Sequence, residues 1–183
     1  GMGGAAAGEI ASDMAVHTVL DVLANRCADA DCKDPAVFAA ALRAAAEEAN
    51  RRIHACASEH PEYRGMGTTA TIVGLLGDTL YLAQVGDSRA YILRDGQALQ
   101  ITKDQSLLQR LVEAGEMTPE EAERSDRRNI ILQALGPEAT VLIDLTHQLL
   151  RRGDVLLLCS DGLSGLVKGD EIARVASEAP DMC

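Results

Sequence analysis

Two short stretches place an aspartate where chemistry could use it. "AQVGDSR", Ala83 to Arg89, and "LLLCSDGL", Leu156 to Leu163, each run apolar residues into a turn, presenting Asp87 in the first and Asp161 in the second. The run before Asp161, "GDVLLLCS", reads as a buried strand, and a carboxylate at the end of such a strand is costly unless something positive meets it. If both strands share one core, both carboxylates emerge at the same sheet edge. Held close, they repel unless one takes a proton or a cation sits between them. Oxygen donors of this kind suit Mg2+ or Mn2+. The competing account is plain turn chemistry: Asp is a good turn former, and Asp78, Asp95 and Asp154 also stand in turn-like contexts. Spacing alone leaves both accounts open.

Three further groups of residues call for the same weighing. "GMGG", Gly1 to Gly4, opens a helix, and glycines there let backbone N–H groups approach an anion; many such turns bind nothing. "RGMGTTAT", Arg64 to Thr71, reads as a helix stop followed by a close-packed strand start. Cys27, Cys32, His54 and Cys56 have poor zinc spacing, so free or buried thiols are expected instead.

The elements that must position these residues follow from periodicity. Apolar residues at helical spacing, Ile10, Met14, Val16, Val19, Leu20 and Leu23, predict a helix over 5–24. Asp34-Pro35 reads as an N-cap with Pro at the first helical position of a second helix to about residue 57. Its face carries Val37, Phe38, Leu42, Ala45, Ala49 and Ile53. Then "TTATIVGLL", "TLYLAQV", "RAYILR" and "QALQIT" predict a four-strand antiparallel meander, with Asp95-Gly96 as a hairpin turn. "SLLQRLVEAGE" is an amphipathic helix. Thr118, Pro119 and Glu121 form a capping-box start for a short one. "TVLIDLTHQLL" and "GDVLLLCS" are strands joined through "RRGD", and a last helix runs over 170–178. "RSDRRNIILQALG" carries no clear period. Helices, a strand run, helices and strands again predict an α+β layering of antiparallel sheets covered by helices.

Bulk properties bound the function. With 183 residues the chain suits one domain; 47% hydrophobic and 25% charged residues are an ordinary globular composition. Aromatics are 2% and Trp is absent, so the core must be aliphatic. A net charge of -11 argues against nucleic-acid binding, which needs Lys and Arg on the phosphates, and means that an anionic substrate needs a local cation. No apolar run has the length to cross a membrane. Five scattered cysteines and no signal peptide fit reduced thiols in a cytoplasm.

Taken in order, "GMGG…GE.AS", "GMGTTAT", "VGDSRAYILRDG…QIT.D.S", "LVEAGEMTPEEA", "RN…QALG" and "GDVLLLCSDGLS" resemble the metal-dependent serine/threonine protein phosphatases, the PPM or type 2C family, in its bacterial branch. The resemblance covers nearly the whole chain. It implies a four-layer α-β-β-α sandwich with two Mn2+ or Mg2+ ions in the cleft between the sheets, and a third, weaker metal site in bacterial members. It implies that a water bridging the two cations attacks the phosphorus of phosphoserine or phosphothreonine, with no phosphoenzyme. Asp161 matches the metal-binding Asp of the "SDG" motif. Asp87 matches the Asp of "VGDSR" that helps bind the third metal. Gly1 matches the glycine of "DGMGG" whose carbonyl binds a metal. Residues 104–135 match the mobile flap, where Asn129 lies within approach of the third metal. Ser88 and Arg89 belong to the motif with structural roles. The implied partners are phosphoproteins and a Ser/Thr kinase.

The match has gaps, and they carry expectations of their own. The family's first carboxylate precedes Gly1. Its upstream strand with a phosphate-binding Arg, and a downstream "Asp-Asn" ligand pair, are not in the sequence. Gln105 stands where a His is common, and "RSDRRN" replaces "HP.RN". Residues 1–183 are therefore expected to form a single partial domain truncated at both ends, impaired in hydrolysis or, alternatively, acting as an inactive binding or scaffold module. Open sheet edges are expected to invite a homo-oligomer.

Overall fold

Helix α1 (Ala5–Arg26) lies along helix α2 (Pro35–Glu59). The contact stripe of α1 is Ala7, Ala11, Ala15 and Val19, four residues apart and buried against Leu42, Ala45, Ala46 and Ala49. The larger apolar residues partly miss this stripe: Val16 and Leu20 of the expected face are 57% and 61% exposed. Small side chains at helical spacing allow the helices to close on each other, which a count of bulky residues does not register. As expected, Asp34 caps α2, its carboxylate accepting from the Ala36 and Val37 amides at 2.8 and 3.1 Å, with Pro35 following. Between the helices, Cys27 and Cys32 are joined as a disulfide, their Cα atoms 5.1 Å apart. This corrects the expectation of reduced thiols there: the chain reversal brings two cysteines five apart within bridging reach. Cys56 and Cys159 are free.

The computed structural model describes residues 2, 5–28, 30–127 and 130–178. Within them two three-stranded antiparallel sheets form. The first has the order β1 (Ala70–Leu76), β2 (Thr79–Val85), β5 (Asp144–Leu149); the second has the order β4 (Gln97–Gln100), β3 (Arg89–Arg94), β6 (Val155–Cys159). The four-strand meander is thus corrected. β1 pairs with β2 and β3 with β4, but "GDS" carries the chain from one sheet to the other, and β2 and β3 do not pair. "RRGD" likewise joins β5 and β6 across the sheets. β6 is also no buried strand: it is the edge of its sheet, with Val155 38% and Leu158 43% exposed. Asp95-Gly96 is the expected hairpin turn, Asp95 itself taking a positive φ of 51°.

Alternation along β2 and β3 shows the layering. Ala83 and Val85 belong to the cluster with α2, so Leu80, Leu82 and Gln84 point to the other face. Tyr91 and Leu93 pack with Ile172 of helix α6 (Gly169–Glu178), so Ala90 and Ile92 point back. Leu80, Leu82, Gln84, Ala90 and Ile92 are all at most 1% exposed. They form the interior between two sheets covered outside by α1/α2 and by α6, the expected four-layer order. The segment between β4 and β5 holds two short helices, α3 (Leu107–Glu113) and α4 (Pro119–Glu123). The Thr118–Glu121 capping box of α4 is present.

The unassigned "QALG" stretch has no regular structure because side chains of α2 hold it. Asn50, 2% exposed, accepts from the Gly136 amide at 2.8 Å and donates to the carbonyls of Glu138 and Ala139. His54 Nδ1 meets the Gly136 carbonyl at 2.9 Å. Thr68 and Leu135 exchange backbone hydrogen bonds, which makes "RGMGTTAT" the close-packed strand start that was expected.

Candidate metal centre

In the register of the second sheet Arg89 stands opposite Cys159. The strands are antiparallel, so the residue two before Arg89 and the residue two after Cys159 leave the sheet at the same end. Those residues are Asp87 and Asp161. Asp161 is exposed and opens helix α5 (Asp161–Ser164), with Ser160 at its N-cap. Asp87 is half-buried in the crossing turn between the sheets. Both line one cleft of about 740 Å³. Burial pushes the Asp87 carboxyl above its ordinary range; the nearby Asp161 and then Asp104 push it the same way. The juxtaposition that spacing left open is therefore present.

The turn that carries Asp87 is held from below. Gln84, buried at the end of β2, donates to the carbonyls of Gly86 and Ser88 at 3.1 and 2.7 Å and accepts from Thr71 at 2.8 Å. The Ser88 and Thr69 hydroxyls are 2.8 Å apart. Gly86 has φ +97°, and a Cβ there would strike the Thr69 side chain, so the turn requires glycine at this position. Sequence reasoning missed Gln84. Its signal was a polar residue at an inward position of an otherwise apolar strand.

Arg89 donates to both carboxylate oxygens of Asp104, with Nη2–Oδ2 at 2.7 Å and Nε–Oδ1 at 3.0 Å, and Asp104 raises its already high pKa. This supports a structural role for Arg89: its charge is spent on Asp104. Gln105 replaces the common His and also acts as a tie. It accepts from the Gly86 amide at 2.8 Å and donates to Asp144 at 2.9 Å, fastening the start of the β4–β5 segment to the crossing turn and to β5 of the first sheet. The other cleft walls are of mixed polarity, with Leu108, Gln109 and Val112 of α3 and Pro119 and Ala122 of α4, and with Glu123, Leu166 and Lys168 beside them. Gly1 and Asn129, the other two expected site residues, lie outside the described residues.

The donor chemistry of the Asp87–Asp161 pair suits a hard divalent cation, since carboxylate oxygens are its preferred ligands. Among the described residues no group of three or more His, Cys, Asp or Glu converges tightly enough to hold a metal. Among the described residues the two carboxylates alone are not a complete donor set.

A profile of the protein phosphatase 2C family matches residues 1–180. The chain belongs to the protein phosphatase 2C family. It is 44% identical over 183 residues to the serine/threonine protein phosphatase PstP of Mycobacterium tuberculosis, covering 100% of this chain and 34% of that protein. It is 37% identical over 177 residues to the protein phosphatase PhpP of Streptococcus pneumoniae, covering 97% of this chain and 70% of that one. The chain thus spans about a third of the length of the mycobacterial relative. Among solved structures, the S. agalactiae serine/threonine phosphatase superposes with a TM-score of 0.89 at 36% identity, over 99% of this chain and 73% of that one. The catalytic domain of PstP "in complex with 2 Manganese ions" gives 0.76 at 37% identity, over 97% and 71%. Among the described residues no helix is long and apolar enough to cross a membrane.

Proposed function

We propose that this chain hydrolyses phosphoserine and phosphothreonine on proteins with the help of Mn2+ or Mg2+. The carrying observation is the convergence of Asp87 and Asp161 at one end of the second sheet, in the cleft of a type 2C fold. Asp161 and Asp87 would hold a cation, with Gly1 and Asn129 as further candidates. When bound, two divalent cations supply the acidity that makes water a nucleophile at neutral pH and the positive charge that phosphoryl oxygens need. The chain's own residues do the rest. Gln84 and Ser88 hold the Asp87 turn, Arg89 keeps Asp104 occupied, and α3 and α4, within a flap spanning 104–135 of a single domain, wall the cleft.

The substrates are phosphoproteins made by a Ser/Thr kinase, and the cytoplasm is the compartment, where the Cys27–Cys32 pair would be kept reduced. A second copy pairing along the open strand edges would cover Leu149 and Leu158, which are 67% and 43% exposed; a monomeric mass by light scattering would remove that part of the proposal. The activity itself is tested with p-nitrophenyl phosphate and a phosphothreonine peptide in Mn2+. Turnover abolished by EDTA and by Asp161→Asn is expected. Turnover that is indifferent to both would sink the proposal.

A further inference from the structure

Only two cations line the cleft among the described residues, Arg89 and Lys168. They differ in availability. Arg89 is held by both oxygens of Asp104, whose side chain is only 13% exposed. Lys168 is 75% exposed and, among the described residues, paired only with Glu123 of α4, itself 66% exposed, at 3.1 Å. An ion pair this open is weak, because water and salt screen it. An incoming anion can therefore exchange for Glu123 at little cost, whereas displacing Asp104 from Arg89 breaks a bidentate, half-buried bond. Two residues before Lys168, Leu166 is 84% exposed, a large apolar side chain standing free beside the cleft. A cation next to an open apolar residue suits a peptide carrying an oxyanion better than a small ester alone.

We propose that Lys168 reads an anionic group of the substrate at the cleft, taking it in exchange for Glu123, while Leu166 meets a neighbouring apolar part of the same peptide. The shared chemistry is an oxyanion, either the phosphoryl group or a flanking carboxylate. Since Glu123 belongs to α4 and Lys168 follows α5, the exchange also releases the side-chain tie between α4 and the far wall. The inference rests on the phosphatase proposal for its substrate class.

The test compares wild type with Lys168→Ala, Glu123→Gln and Leu166→Ala on p-nitrophenyl phosphate and on two phosphothreonine peptides, one flanked by Glu and Leu and one by Ala. Lys168→Ala should raise KM about threefold with kcat unchanged, the size of an exposed ion pair. Glu123→Gln should lower KM, because the lysine no longer leaves a partner. Leu166→Ala should raise KM only for the peptide containing Leu. A KM rise on all three substrates assigns the phosphoryl group to Lys168; a rise confined to the acidic peptide assigns the flanking carboxylates. Unchanged KM values for Lys168→Ala, with wild type active, overturn the inference and leave the phosphatase proposal standing. If wild type turns over nothing, anisotropy of the labelled acidic phosphopeptide decides: weaker binding by Lys168→Ala sustains the inference, and equal binding overturns it.

Discussion

At Asp87 burial and a second carboxylate act in the same direction, both disfavouring its charged form. Removing Asp161 removes one of those effects and, in the proposed activity, also one of the two carboxylate donors. Asp161→Asn should therefore act with opposite signs in two measurements. Without metal it relieves repulsion, and the melting temperature in EDTA should rise slightly, by about 1 °C, the share of a few tenths of a kcal/mol. With metal, calorimetric titration should show Mn2+ affinity lower by at least about tenfold, since even indirect supports of a metal ligand cost that much. Equal Mn2+ affinity in the variant would mean that Asp161 is a turn residue after all. A single-signed effect, destabilising in both conditions, would mean that the carboxylate serves the α5 start rather than a cation.

The element that turns these residues into a cleft is the irregular segment returning from α4 to β5, and its anchor is α2. Asn50→Ala strips the Gly136 amide and two carbonyls of their partners in a buried place, which should cost about 2–4 kcal/mol in urea unfolding. Gly136→Ala should cost about as much, because its φ is +108° and a Cβ would strike Ile53. Both variants should also speed proteolysis within 130–141 more than elsewhere. If they lower global stability with uniform proteolysis, the segment is not a separable unit. This anchoring also explains where the sequence was legible. The strands and helices announce themselves by period, cap and turn: Asp34, Thr118 and Asp95-Gly96 each do locally what their types dictate. Sheet membership does not, because "GDS" and "RRGD" look like hairpin turns whether the next strand pairs or crosses. "QALG" was opaque for the same reason, since its shape is fixed by Asn50 and His54, over 80 residues away. At the site, Asp87 and Asp161 were legible as turn carboxylates. Their convergence needed the Arg89–Cys159 register, and Gln84 and Gln105 became supports of the Asp87 turn only once their partners were placed.

Among the described residues the sandwich carries the Asp87–Asp161 cleft at one end and a tie between the sheets at the other. The end opposite Asp87 and Asp161 carries Arg94, at the far terminus of β3, whose guanidinium donates to Asp154 at 2.6 and 2.8 Å and to the Leu149 carbonyl of the other sheet at 3.2 Å. Asp154 also accepts from the Arg151 amide at 2.7 Å, and its side chain is 5% exposed. One aspartate, read from sequence as a plain turn residue, thus joins β3 to the β5–β6 crossing and holds the two sheets together. The Arg94 guanidinium pulls the Asp154 carboxyl from its ordinary 3.8 down to about 2. A carboxyl lowered by folding stabilises the native state wherever it is ionised in both states, and that contribution is lost as protons reach it. The clamp should therefore contribute fully above pH about 4 and fade as the pH falls to about 2. Asp154→Asn lacks this linkage. Urea unfolding of wild type and Asp154→Asn should differ most near neutral pH, and the gap should narrow monotonically through that window. A gap that stays constant down to pH about 2 would show that folding does not lower the Asp154 carboxyl, and that neither the guanidinium nor the Arg151 amide favours its charged form. In that case the sheets would be joined at this end by packing rather than by charge.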